Sequence, residues 1–267
     1  MSKEFIRKSK ESKPVVAICY DFDKTLSPDD MQAQGYIQSV GDEVSSVSID
    51  AYHSSVITHK NCKISKLKKN GTDLTFDYLA YALPYPLDSI SRSGWGNKRS
   101  QRGAMRLVPF MEEFNQERFQ VTNLEKGMYR LTIDNQFIDN LSSEKLANGV
   151  NLADYPNTPQ YQQAAKIMYL NEERCAIEKR LRQYMAMQYV FFKHRGLLFA
   201  DNKAALDAAK AERESHYLVK YLYTNYTQAM FPQIREAWQA EIDQLITQIY
   251  KINKPLTRLI KIERIKE

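Results

Sequence analysis

Two aspartates separated by one phenylalanine, Asp21 and Asp23, stand directly behind the run Pro14-Val15-Val16-Ala17-Ile18-Cys19-Tyr20. A continuous apolar, β-rich stretch of this kind is the mark of a strand buried on both faces of a parallel sheet. Open α/β sheets bind their ligands beyond the carboxyl ends of such strands. Two carboxylates placed there could hold a magnesium ion, which takes oxygen ligands and keeps several of its waters. One carboxylate could attack phosphorus to give an acyl phosphate, while the other protonates the leaving group and then activates water. The plainer alternative is an acidic turn that closes a strand.

Other residues of chemical type are weaker candidates. Gly41-Asp42 is followed by Glu43, where a serine nucleophile block would need serine. Asp50-Ala51-Tyr52-His53 has the spacing of a carboxylate that orients a histidine base, but no proline follows the histidine and a surface histidine is the reading preferred. His59, His194 and His216 have no serine or cysteine with activating neighbours in sequence and read as structural. Leu197-Leu198-Phe199-Ala200-Asp201 with Asp207 could be an apolar run leading into metal-binding acids. Read plainly, Gly196 closes one helix and Asp201 or Asn202 caps the next. Tyr189-Val190-Phe191-Phe192-Lys193-His194-Arg195 mixes aromatics with cations, as single-strand stacking surfaces do; core aromatics next to bases at a helix C-terminus explain it without a ligand. Arg92, Lys98, Arg99, Arg102 and Arg106 around Trp95 suit a solvated loop or an anion or glycan contact.

The elements that must position these residues follow from pattern. Residues 1–13 are a polar, basic lead-in. Ser27-Pro28-Asp29-Asp30 is turn chemistry, and Met31 to Val40 can form a short helix. From Val44 to about Ala153 the alternation predicts antiparallel β structure. Asn70-Gly71 between Cys62–Lys68 and Asp73–Tyr81 signals a hairpin. Tyr129-Arg130-Leu131-Thr132-Ile133 alternates cleanly and Asp134-Asn135 turns it back through Phe137 and Ile138. Pro84 to Gly103 is a long surface loop by composition. Thr158-Pro159 starts a helix with an N-cap and a first-position proline. That helix runs to about Gly196, some ~50 Å at the usual rise per residue. Residues 202–226 and 232–252 read as two more helices, and Leu256 to Ile265 as a returning strand. The predicted fold is α+β: a small antiparallel β-sandwich over 44–154, a three-helix insertion over 155–254 and a closing strand over 255–267. An isolated strand and helix over 1–43 precede it.

With 267 residues, 43% hydrophobic and 26% charged, the chain can bury a sizeable core. The net charge of +6 is spread among acids along the whole length, the pattern of a solvated surface and not of a nucleic-acid stripe. Cys19, Cys62 and Cys175 lie far apart with no CxxC pair, which reads as free thiols in a reducing compartment. No segment has the ~20 apolar residues of a membrane span, so the expectation is a cytoplasmic protein without a membrane partner. An N-terminal strand with no sheet to join could drive self-association.

Asp21-Phe22-Asp23-Lys24-Thr25-Leu26 after an apolar strand resembles motif I of the haloacid dehalogenase superfamily. The resemblance implies Asp21 as nucleophile and magnesium ligand, Asp23 as general acid/base with its carbonyl on the metal, and Thr25 as loop support. The lysine, the serine or threonine and the further acidic pair that such a phosphatase needs are not found downstream. From about residue 44 to 265 the chain resembles the region behind the catalytic domain in bacterial SGNH/GDSL-type hydrolases. The residues that carry this are Leu83-Pro84-Tyr85-Pro86-Leu87, Phe114-Asn115-Gln116-Glu117, Gly127 to Asp134, Leu146 to Ala153 and Asn157 to Ala164. The expectation is therefore a chimeric, hydrolase-derived protein joined near residues 41–45, with a structural or interaction module and no complete catalytic site. The alternatives are a magnesium-dependent phosphatase using Asp21, and an SGNH-type esterase or carbohydrate-active hydrolase.

Overall fold

A computed structural model describes residues 43–87 and 109–265. The chain divides into residues 1–42 and a unit that begins at Glu43, and the second is described here by itself. The expected strand 14–20, helix 31–40, and the loops carrying Arg92 to Arg106 lie outside the described residues, as do Asp21, Asp23 and Thr25.

Alternation sets the sandwich. Strand β1 (Glu43–Asp50) turns inward Ser45, Val47 and Ile49; β4 (Asp73–Ala80) turns inward Leu74, Phe76, Tyr78 and Ala80; β5 (Gln116–Thr122) turns inward Glu117, Phe119 and Val121. Residues two apart share a face, so each strand presents one apolar row. With β2 (Ser55–Lys60), β3 (Cys62–Asn70), β6 (Met128–Ile133), β7 (Gln136–Ser142), β8 (Val150–Asn151) and β9 (Arg258–Arg264), they form two sheets. Their orders are β2-β1-β5-β8 and β3-β4-β9-β6-β7. The rows meet in one core, where the rings of Phe76 and Phe119 stack across the sheets with centroids 6.1 Å apart.

Turn chemistry fixes the hairpins. Asn70 pairs with Asp73 around Gly71, whose φ of 61° carries no Cβ penalty in glycine. Asp134 and Asn135, with φ of 51° and 64°, make the tight reversal from β6 to β7. One expectation is corrected: the β region is not wholly antiparallel, because β1 and β5 run parallel. Period-2 alternation is the same for either direction, so it fixes a strand's face and not its neighbour. The closing strand β9 sits in the middle of its sheet, between β4 and β6.

The short helices α1 (Phe110–Glu113) and α2 (Ser143–Asn148) flank β5. The helical insertion begins with α3 (Pro159–Ala186), capped by the Thr158 hydroxyl, which accepts from Tyr161 N–H. Its last turns widen to a π-helix over Met187–Phe192 and tighten over Lys193–Arg195, ending at Gly196 with φ 68°. The expected helix over 202–226 is two: α4 (Lys203–Ala211), capped by Asn202, and α5 (Tyr217–Ala229), capped by the His216 ring. Helix α6 (Pro232–Ile252) returns antiparallel to α3. At one end Gln163 Nε2 donates to the Ile252 and Lys254 carbonyls, and at the other Arg180 lies 5.6 Å from the centre of the Trp238 ring. A second core fills the far end of the insertion, with Tyr184, Met187, Phe191, Phe192, Val219, Leu222, Tyr226 and Trp238.

Candidate functional site

The described residues bring one acid into the sandwich core. Glu117 lies on the inward row of β5 with Phe119 and Val121 and has no exposed surface. Its Oε1 accepts from the Tyr78 hydroxyl of β4 and from Gln160 Nε2 in the first turn of α3, each at 3.0 Å. Because Tyr78 gives its one hydrogen to Glu117, the Ser45 hydroxyl of β1 donates to the Tyr78 oxygen at 2.5 Å. Asn151 fixes the strand from behind: its Oδ1 accepts from Glu117 N–H at 2.8 Å.

Burial dominates the electrostatics. Removal from water pushes the Glu117 carboxyl up from 4.5 to about 7, against the Tyr78 and Gln160 hydrogen bonds and the positive charge of Arg258, which favour the ion. Burial, then the nearby Glu117 charge, raises the Tyr78 hydroxyl well above its ordinary value. Arg258 of β9 is held by Asp134 at 2.9 Å and by Gln163 Oε1 at 2.6 Å. A small cavity of about 10 Å³, room for about one water, touches Tyr78, Glu117, Gln160 and Arg258.

Ser45, Tyr78 and Glu117 thus form a hydroxyl, hydroxyl, carboxylate relay, but Ser45 and Glu117 are both fully covered. A nucleophile must reach its substrate at about 3 Å, and a serine closed inside the sandwich does not. The sequence reading passed over Glu117. The signal was present: in Glu117-Arg118-Phe119-Gln120-Val121 the acid occupies the same face as two core residues.

The Asp21, Asp23 and Thr25 set lies outside the described residues, together with the magnesium it would hold. Asp50 and His53 do meet, Nδ1 to Oδ2 at 2.8 Å. The same carboxylate accepts from the Tyr52 and His53 backbone N–H groups, so it caps the β1–β2 turn. The hydrogen bonds of His53 and its neighbours hold Asp50 well below the usual carboxylate range. His59 Nδ1 contacts the Cys62 carbonyl. The Asp201 carboxylate takes hydrogen bonds from Tyr184, Gln188 and Arg235, while Asp207 pairs with Lys203. Among the described residues no group of acids, histidines and cysteines could hold a metal, and no helix is long and apolar enough to cross a membrane. Cys62 and Cys175 are free thiols. Of the aromatic run, Phe191 and Phe192 are core, and Arg195 lies 3.9 Å from the Phe191 ring centre.

Residues 165–254, nearly the whole helical insertion, match the family model of the diltiazem deacetylase C-terminal helical domain. A solved structure described as BT4096, a gut microbial diltiazem-metabolizing enzyme, is similar at 44% identity and TM-score 0.80, over 88% of this chain and 52% of that one. This chain therefore spans about half the length of that enzyme. No curated protein sequence matches it. These similarities overturn the reading as a haloacid dehalogenase fragment joined to an SGNH-type hydrolase. A six-residue acidic motif behind an apolar run is a local pattern. The likeness to one solved structure extends over most of the chain.

Proposed function

We propose that residues 43–265 are a structural module of a hydrolase of the deacetylase type, one that removes acetyl groups from small esters such as diltiazem. The observation that carries this reading is the 44% identity to the diltiazem-metabolizing enzyme over 88% of the chain. Two features support a non-catalytic role for this part. The serine of the buried relay is closed off. Among the described residues, no serine or cysteine hydrogen-bonds to His53, the one histidine paired with a carboxylate. The insertion leaves the sandwich on α3 and returns to it on α6.

The test is acetate release from diltiazem and from an aryl acetate by the purified chain. Release at the buffer rate is expected. A second reading, that the chain deacetylates by itself, draws on the Asp50–His53 pair, in which a carboxylate orients an imidazole as in esterases. Turnover that disappears in His53→Ala would establish it and overturn the first.

A further inference from the structure

The helical insertion joins the sandwich at two points, and both converge on one buried carboxyl. Its entry is the first turn of α3, where Gln160 Nε2 donates to Glu117 Oε1 at 3.0 Å. Its exit is the chain from Ile252 into β9. There Gln163 Nε2 donates to the Ile252 and Lys254 carbonyls, and Gln163 Oε1 accepts from Arg258. Pro255, Leu256 and Arg258 of the exit line the same water-sized space as Gln160 of the entry and Glu117. Glu117 is fully covered while both segments are seated. Lifting either one brings water to its carboxyl.

Charge makes this seat depend on one proton. Among the described residues Glu117 faces a single cation, Arg258, whose guanidinium is already paired with Asp134 at 2.9 Å. The other groups around the carboxyl are Ser45 of β1 behind Tyr78 of β4, Cys62 of β3 and Gln160 of α3. None of them brings a positive charge, and burial raises the Tyr78 hydroxyl and the Cys62 thiol, so both stay neutral. An ionised Glu117 therefore leaves a net negative charge in the closed root, and a protonated one leaves none. Hydrogen bonding does not reverse the preference. Glu117 Oε2, Gln160 Oε1 and Arg258 Nε have no partner among the described residues. One water serves all three in either state: it gives to Gln160 Oε1, takes from Nε–H, and gives to or takes from Oε2.

We propose that Glu117 is a proton latch for the helical insertion. With its proton, both ends of the insertion seat on the sandwich. Without it, a state is favoured in which Gln160 and residues 253–258 lift and water reaches the carboxylate. The sign follows from linkage. Covered Glu117 keeps its proton to about pH 7, against an ordinary value of 4.5 in water, so the closed form binds the proton more tightly. Opening grows as pH climbs from 4.5 and levels off above about 7.

The test is amide hydrogen exchange of the full chain, read by mass spectrometry at pH ~6 and ~8 and corrected for the intrinsic pH dependence of exchange. Protection over residues 160–168 and 252–259 should fall about tenfold between the two. It should stay below that of β4 and β6 and depend less steeply on urea, the mark of a local opening and not of global unfolding. Glu117→Gln keeps the shape and cannot ionise, so its root should stay closed at both pH values. Asp134→Asn frees Arg258 to face the carboxylate and should shrink the fall; asparagine tolerates the φ of 51° there. It reads the latch independently if the glutamine variant does not fold. A root that exchanges only together with β4 and β6, a corrected fall of zero, or a fall undiminished in either variant overturns the proposal.

Discussion

The Tyr78 hydroxyl of one sheet donates to the Glu117 carboxylate of the other at 3.0 Å, and both side chains are closed to solvent. This contact joins β4 to β5, and through Gln160 and Arg258 it also reaches the helical insertion and the closing strand.

Stability should fall as pH rises through neutrality. Glu117 has a folded pKa of about 7 against an ordinary 4.5, so the native state binds its proton more tightly than the unfolded chain. Its contribution is fully present below 4.5 and is lost as pH climbs to about 7. A difference of this size corresponds to about 3 kcal/mol, to order of magnitude. Urea midpoints measured at intervals from pH ~5 to ~8 should decline, and Glu117→Gln should flatten the decline. An unchanged slope in the variant rejects Glu117 as the group responsible.

Removing one hydroxyl tests the relay. Tyr78→Phe keeps the ring in the core but takes away the donor to Glu117 and the acceptor for Ser45. A loss of about 1–3 kcal/mol in chemical denaturation is expected, larger at alkaline than at acid pH, since the bond matters most to the ionised carboxylate. Equal losses at both ends of the range would count against it.

Asp201 should behave as the knot of the insertion. Its side chain is 12% exposed and takes hydrogen bonds from Tyr184 at 2.5 Å, Gln188 at 3.0 Å and Arg235 at 3.1 Å. Burial and the Asp201 charge raise the hydroxyl pKa values of Tyr184 and Tyr226. Asp201→Ala strands these partners and should cost roughly 2–4 kcal/mol. Asp201→Asn should cost less, because asparagine tolerates the φ of 42° that the backbone adopts there. Proteolysis between residues 196 and 216 reports the opening; an alanine variant as resistant as the parent contradicts this role.

The two cores should respond separately. Leu131→Ala in the sandwich and Phe192→Ala in the insertion each remove a fully covered side chain. Losses of about 2–5 kcal/mol are expected for each. Losses in the double variant should add to within about 0.5 kcal/mol, because the two sites share no partner; a larger coupling energy would contradict it.

What the residues alone determined is local. Asp134-Asn135 reverses the chain because both tolerate positive φ, Gly71 does so because it has no Cβ, and Thr158-Pro159 starts a helix because one caps and the other has φ preset. The β character of residues 44–153 was legible too, but the inward direction of Ser45, Tyr78 and Glu117 was not read from it, because polar residues on an apolar row do not announce their face. The fold class followed from these signals. The acidic motif at Asp21 and Asp23 misled for the same reason: kinship belongs to the whole chain, and six residues do not carry it.

Only tertiary structure decided which faces meet. Tyr78 and Gln160 reach Glu117 from 39 and 43 residues away, and Arg258 joins Asp134 from 124 away. A backbone ladder offers the same donors and acceptors to any neighbour, parallel or antiparallel. The pairing of β1 with β5 and the insertion of β9 between β4 and β6 are therefore chosen by the packing of the completed core. That packing takes an ordinary glutamate out of water and pushes its carboxyl up to about 7.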